Sequence, residues 1–356
     1  MSIVGPILSR YRLLAIVLAL PLCFQISATF AQTEPPPKDS PDQSFTAYLK
    51  PKLLIEIPGK RKIHLYCIGI GSPTVIFTAG LGDWAANWRN VQVPVSEKTR
   101  TCAWDRAGYG FSDPSPFVQD IKHTTADMEA AIKAANIEGP LVLVGHSMGG
   151  YESLLLADKH SERTLGMVLI DPSIPHQSER IRIFDEYNKF NSIHLRNCFA
   201  EIKRGKHSHS SPDPNNCFEY DPTYPLELKD ILKEKDLDPR RYSNQISLFE
   251  QFKKDSMRVV NSKRNYGSMP IKILSASDTG DWSTVPVLSK ATLRQRNQFL
   301  AEFQRGHGAM ARLSTNGTHA IVQDTTHYIH ATNPHVVISA INEVVDEVRS
   351  KLQMKE

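Results

Sequence analysis

The chain has 356 residues, 40% hydrophobic and 22% charged, values of an ordinary globular protein with one large domain or a domain carrying an insertion. Its formal charge of +4 is spread along the chain with no dense basic block, which argues against nucleic acid as a partner. There is no internal repeat and no long low-complexity tract.

Residues 1–31 read as a signal peptide. Arg10 and Arg12 precede an apolar run from Leu13 to Phe24 that is short for a membrane span, and Ala28-Thr29-Phe30-Ala31 offers small residues for cleavage before Gln32. The alternative is an uncleaved anchor. Cys23 does not suit lipoprotein processing, because Leu22 before it is too bulky. The Pro-rich stretch 34–41 falls in an expected linker, 32–51. The expected protein is thus secreted or periplasmic, without stable membrane insertion after cleavage. Four cysteines then remain, Cys67, Cys102, Cys198 and Cys217. Their even number fits disulfides in an oxidising compartment, and the lack of Cys-x-x-Cys spacing speaks against a metal site.

Lys52–Ile57 and Lys62–Ile68 read as strands joined at Pro58-Gly59-Lys60. A third, Thr74–Phe77, ends in Ala79-Gly80-Leu81-Gly82, whose glycines let the backbone turn its amides outward. A helix is expected over Trp84–Val95 and a strand over Thr99–Trp104. Asp105–Asp113 is by spacing a charged, glycine-rich loop to which no chemistry is assigned. Thr124-Thr125-Ala126-Asp127 carries a capping-box signal ahead of Met128, Ala131, Ile132 and Ala135 at helical spacing. Leu141–Val144 is a buried strand, Gly145-His146-Ser147-Met148-Gly149 a sharp turn, and Tyr151–Lys159 a helix. After the strand Gly166–Ile170, which ends at Asp171-Pro172, alternation stops until about Met269. Helical patterns fill that stretch, with Leu248, Phe249 and Phe252 on one face. A polar loop there, 205–216, holds His207 and His209, expected to be solvated. Alternation resumes with the strand Ile271–Leu274, a helix around Leu293–Arg305 and the strand Ala320–Val322. The last helix, Asn333–Leu352, has Asn333 at the N-cap, Pro334 at N1, and Val337, Ile341, Val344, Val348 and Leu352 on its buried face.

The turn at Ser147 is the chemical centre of the chain. A serine between a buried strand and a helix is forced into a conformation that L-residues resist, with small neighbours permitting the bend. The Met148 N–H then lies at a helix N-terminus, where it can face a developing oxyanion. A serine hydroxyl needs a histidine to take its proton and a carboxylate to fix that histidine's tautomer.

From about Lys62 onward, outside the 172–269 block, the chain resembles the α/β-hydrolase superfamily. The matching motifs are Ala79-Gly80-Leu81-Gly82, Asp105 to Asp113, Gly145-His146-Ser147-Met148-Gly149-Gly150, Ser277-Asp278 and Thr326-His327-Tyr328-Ile329-His330. Ala79 departs from the histidine that many members carry there. The resemblance implies an α/β fold: a mostly parallel central sheet with helices on both faces, no cofactor, and a mainly helical cap inserted after the sixth strand. The core would then span 52–171 and 270–356, and the cap 172–269. It implies the order Ser147, acid, His327, with the partners on loops after late strands. Asp278 is the expected acid, ahead of Asp281 and Asp171. Among the late histidines, His327 is preferred to His319, His330 and His335. Leu81 and Met148 would supply the oxyanion amides, and Trp84 and Trp282, one after each loop, are expected to rim the cleft. The resemblance also sets the strand of Cys67 beside that of Cys102 and places Cys198 and Cys217 in the cap, which implies pairs 67–102 and 198–217.

Serine at the elbow argues against the epoxide hydrolases and haloalkane dehalogenases of the superfamily, which use aspartate there. The expected activity is hydrolysis of a small carboxylic ester. Amide, lactone or carbon–carbon bond hydrolysis and perhydrolysis stay open on the same parts. In another class stands a non-catalytic binding protein of this fold, against which the retained triad candidates argue.

Overall fold

The computed structural model describes residues 43–354 apart from positions 219 and 284; the expected signal peptide and the Pro-rich stretch lie outside the described residues. Eight strands form one sheet: β1 (Leu53–Ile57), β2 (Arg61–Ile68), β3 (Thr74–Thr78), β4 (Thr101–Trp104), β5 (Leu141–His146), β6 (Thr164–Ile170), β7 (Ile271–Ala276) and β8 (Gly317–Val322). Their spatial order is β1-β2-β4-β3-β5-β6-β7-β8. β2 runs antiparallel to both β1 and β4, and every other pairing is parallel. β3, β4 and β5 are buried at every position, which explains their unbroken apolar runs: a parallel sheet covered on both faces leaves no polar side.

The helices are α1 (Arg89–Ser96), α2 (Ile121–Ala134) and α3 (Gly149–Lys159), then four between β6 and β7: α4 (Gln177–Arg180), α5 (Arg182–Lys203), α6 (Leu226–Asp236) and α7 (Pro239–Arg258). α8 (Leu293–Ala311), α9 (Ile329–Thr332) and α10 (Pro334–Gln353) complete the chain. α1 packs with α10, and α2 with α3. α10 buries Val337, Ile341, Val344 and Val348; Pro334 opens it, but the Asn333 side chain makes no capping bond. α2 begins earlier than its sequence signal. Asp120, whose carboxylate accepts from the Lys122 and His123 amides, is the cap, and Thr124 lies inside the first turn. No helix of the described residues is long and apolar enough to cross a membrane.

α5 and α7 form the body of the insertion. α7 is stitched to the core along residues 115–121: Asn244 bonds both backbone groups of Ser115, Ser247 Oγ accepts from the Gln119 amide, and Asp255 Oδ2 accepts from the Ile121 amide. The disulfides pair Cys67 with Cys102, directly opposite across β2 and β4, and Cys198 with Cys217 within the insertion. His207 is not solvated: it is buried 3.0 Å from Glu201, whereas His209 is exposed. The linker expectation also needs correction. Residues 43–48 form a 3-10 turn, and its Phe45 and Tyr48 are fully buried, because the apolar surface of Tyr66, Trp84 and Tyr224 is there to be covered.

Two measurements probe this framework. Closing the 19-residue separation between Cys198 and Cys217 removes loop entropy from the unfolded chain worth about 3 kcal/mol. The double change Cys198→Ser, Cys217→Ser should lower unfolding stability by about that amount in urea titration. The second concerns Asp255. Burial pushes its carboxyl up from 3.8 to about 6, against the opposing pull of the Ile121 amide and Arg258. The folded protein therefore holds this proton more tightly than the unfolded chain, and Asp255's contribution to stability declines as pH rises from about 3.8 to 6 and is flat above. Across that window the Tm of wild type should fall by about 2 °C or more relative to Asp255→Asn.

Candidate active site

Ser147 follows β5 with φ +51°, in the left-handed region. Its amide donates to the Ile170 carbonyl at 3.2 Å, and its carbonyl accepts from the Gly150 and Ser173 amides at 3.0 and 2.9 Å. These bonds hold the strained residue in place. Glycine is required at 149, because a Cβ there would stand 2.3 Å from the Thr78 carbonyl oxygen. Within the described residues neither the Met148 nor the Leu81 amide donates a hydrogen bond.

The loop carrying Leu81 is held by Arg106. Its guanidinium donates to the Ala79 and Gly80 carbonyls at 2.6 and 2.7 Å and forms a bidentate pair with Glu152 at 2.8 and 2.5 Å. In a planar trans peptide the amide points opposite to its carbonyl, so fixing Gly80 C=O on Arg106 turns the Leu81 N–H the other way. Leu81 and Ser147 line the same cavity. Burial alone would lower the Arg106 pKa; Glu152 more than offsets it and keeps the guanidinium charged. Asp105 fixes the next turn by accepting from the Ala85 and Phe111 amides, and it lies 2.7 Å from the His64 ring nitrogen. The loop to which spacing assigned no chemistry thus positions the Leu81 amide.

His327, on the loop after β8, donates from Nδ1 to Asp171 Oδ2 at 2.6 Å, leaving Nε2 as its free ring nitrogen. Asp171 ends β6 with φ +40°, and its other oxygen accepts from the Ala276 amide of β7 at 3.0 Å. Burial alone would raise the Asp171 carboxyl; the hydrogen bond and charge of His327 overcome it and hold the group below the usual carboxylate range. Behind it His307 donates from Nε2 to the Pro172 carbonyl at 2.7 Å, while Ser275 Oγ lies 2.6 Å from both His307 Nδ1 and His319 Nε2. On the other side His146, within the elbow, donates from Nε2 to the His327 carbonyl at 3.0 Å; its Nδ1 lies 3.6 Å from Asp83. Burial and the neighbouring His327 lower the His146 pKa and favour its neutral form.

The structure therefore brings together Ser147, His327 and Leu81, with Met148 next to Ser147; Asp278 lines the same cavity but is not the carboxylate that His327 bonds. Asp278 lies on an exposed part of the loop after β7, where its carboxylate accepts from the Gly280 amide at 3.1 Å, while the His327 ring turns to Asp171. Asp281 is likewise occupied locally, accepting from the Ser283 amide. The two tryptophans are also separated. Trp282 lines the Ser147 cavity, packed edge-on against Phe299 at 5.1 Å. Trp84 is buried behind the oxyanion loop, with its indole N–H on the Tyr224 hydroxyl at 3.0 Å, and lines a different cavity. The Ser147 cavity measures about 360 Å³ and is walled by Phe184, Trp282, Leu288, Phe299 and Phe303.

A family model described as the alpha/beta hydrolase fold matches residues 73–192. The uncharacterized protein YqjL of Bacillus subtilis is 23% identical over 278 residues, 78% of this chain and 85% of that protein. The 2-hydroxy-6-oxo-2,4-heptadienoate hydrolase of Pseudomonas putida is 30% identical over 118 residues, 32% of this chain and less than half, 42%, of that protein. Among solved structures, a thermophilic esterase from Thermogutta terrifontis superposes with TM-score 0.53 at 18% identity, over 83% of this chain and 98% of that one; at such identity the likeness bears on fold alone. The chain has the α/β-hydrolase fold.

Exchange of the carboxylates separates their roles. Asp171→Asn leaves His327 without its tautomer-fixing acceptor and should lower kcat by about 10⁴-fold, whereas Asp278→Asn should stay within about threefold of wild type. Steady-state kinetics on one chromogenic ester, with circular dichroism to verify folding, compares them.

Proposed function

We propose that the protein is a serine hydrolase acting on carboxylic esters through an acyl-enzyme, with Ser147 as nucleophile, His327 as base and Asp171 as acid. The observation that carries this reading is the His327–Asp171 hydrogen bond at 2.6 Å, made within the cavity that Ser147 lines. Asp171 selects the tautomer in which Nε2 can accept the Ser147 proton. Ser147 Oγ then bonds to the ester carbonyl carbon while the Leu81 and Met148 amides receive the oxyanion. The tetrahedral adduct collapses as the ester C–O bond breaks, and His327 hands the proton to the departing alcohol. Water, deprotonated by the same histidine, releases the acid and restores Ser147. The apolar wall from Phe184 to Phe303 suits an aliphatic or aromatic acyl group. Export forms part of the proposal and is supported by the two disulfides, which persist in oxidising compartments.

A fluorophosphonate probe tests both parts in one spectrum. The intact mass of protein recovered outside the cytoplasm should show one adduct, mapped to Ser147, on a chain starting at Gln32. Ser147→Ala should take no label and lose about 10³-fold or more of p-nitrophenyl ester turnover. A variant retaining a tenth of wild-type turnover would remove Ser147 as the nucleophile.

A further inference from the structure

The segment Asp171-Pro172-Ser173 ties several parts of the site together. Asp171 accepts from His327, and the Ser173 amide donates to the Ser147 carbonyl at 2.9 Å. Between them Pro172 has no N–H, so its carbonyl is its one backbone hydrogen-bonding group. That carbonyl accepts from His307 Nε2 at 2.7 Å. His307 is fully buried and belongs to α8, which packs on β7 and β8. Its Nδ1 lies 4.0 Å from Asp171 Oδ1, the oxygen that does not take the His327 bond. A histidine from a helix remote in sequence therefore faces the acid of the site and holds the residue after it.

The hydrogen bonds fix where this histidine carries its proton. A carbonyl only accepts, so Nε2 bears hydrogen. The charged or titratable groups facing the ring are Asp171, His319 of β8 and His327; on its own helix the Phe303 ring stands near-perpendicular at 5.5 Å. Burial outweighs the pull of Asp171 and lowers the His307 pKa, favouring the neutral ring. Nδ1 is then bare and accepts the one proton of Ser275 Oγ, 2.6 Å away. With that proton committed Ser275 can only accept, so His319 Nε2, also at 2.6 Å, donates to it. The chain from His319 through Ser275 and His307 to Pro172 thus runs with one polarity from end to end. A neutral His307 sets no second cation against Asp171, and the carboxylate is left to His327.

We propose that His307 is a positioning residue of the site: its neutral ring holds the Pro172 carbonyl, and through it the Asp171 carboxylate, in the orientation His327 requires, while Ser275 and His319 fix its tautomer. The proposal rests on the triad reading above. Asp171 needs such a hold because its backbone is left-handed, φ +40°, a conformation that a side-chain-bearing residue keeps only where its surroundings impose it. Gly150 makes room for the same turn, since a Cβ there would stand 2.7 Å from Pro172 Cβ. The turn that carries the acid is thus packed on α3 and bonded to α8.

Two amides separate this role from packing alone. In His307→Gln the side-chain NH2 takes the place of Nε2–H and reaches Pro172; in His307→Asn, one methylene shorter, the amide takes the place of Nδ1 and reaches only Ser275. His307→Asn should lower kcat on a p-nitrophenyl ester by about tenfold or more with KM within about twofold, whereas His307→Gln should stay within about threefold of wild type. The Tm of each variant reports its folding. Added to Asp171→Asn, the His307→Asn change should cost less than about twofold further, because its effect passes through that carboxylate. Nitrogen NMR of wild type carrying isotope-labelled histidine should show the His307 ring, assigned through its contact with Phe303, protonated on Nε2 and bare on Nδ1 at neutral pH; this measurement stands even where His307→Asn fails to fold. A loss in His307→Gln as deep as in His307→Asn, full activity in both, a loss that multiplies with Asp171→Asn, or hydrogen on Nδ1 overturns the positioning role while the triad stands. Full activity in Asp171→Asn overturns the triad reading and the role with it.

Discussion

The buried pair of Arg106 and Glu152 is the constraint on which the site depends. Arg106 is 2% exposed and Glu152 fully buried, so neither charge has water to fall back on. One guanidinium edge, Nε and Nη2, is spent on the carboxylate, while Nη2 and Nη1 also donate to the Ala79 and Gly80 carbonyls. One side chain just after β4 thereby fixes the first turn of α3, just past Ser147, relative to the loop after β3. Removing either partner would strand a buried charge at a cost of about 3–5 kcal/mol, and the first geometry to relax would be the orientation of the Leu81 amide. Glu152 also sits in the opening turn of α3, where the helix dipole favours an anion.

The insertion brings a second level of organisation. α7 uses side chains to satisfy the backbone of residues 115–121, so the roof of the site and the segment leading into α2 share their hydrogen bonds. α5 supplies Phe184 to the Ser147 cavity and Asn191 to the cavity that Trp84 lines, and Tyr328 lines both. A single helix thus lines both cavities with residues two turns apart.

The strands, the elbow and the histidine were legible in the sequence because each is local: a run of branched residues, a tight glycine-bounded turn, a motif next to a strand. The acid was not. β6 and β7 are parallel neighbours, so their C-terminal loops open side by side near His327, and carboxylates of either loop meet the same sequence description. Asp171 is selected by features that only the packed sheet creates: its left-handed backbone, the Ala276 amide contributed by the adjacent strand, and the His307 bond that holds Pro172. Asp171-Pro172 directly after a buried strand was the available signal. Trp84 escaped for a similar reason. Its place in the chain pointed to the cleft, but its indole N–H needs an acceptor when buried and finds it at Tyr224, some 140 positions on. Arg106 is read correctly only once the carbonyls of Ala79 and Gly80 are seen around it.

The 3-10 turn at residues 43–48 carries a different kind of consequence. Phe45 meets Tyr224 of the insertion at 4.6 Å beneath the Arg89 guanidinium, and Tyr48 stacks on Tyr66 and stands edge-on to Trp84, whose N–H reaches Tyr224 in turn. The turn at residues 43–48 is therefore a wedge under the roof. A recombinant form trimmed to begin at β1 would retain Ser147, Asp171, His327 and both disulfides, yet it would bare an aromatic socket beside the cavity that Trp84 lines. Any carrier or surface tether fused ahead of the domain has to leave those six residues free to seat themselves.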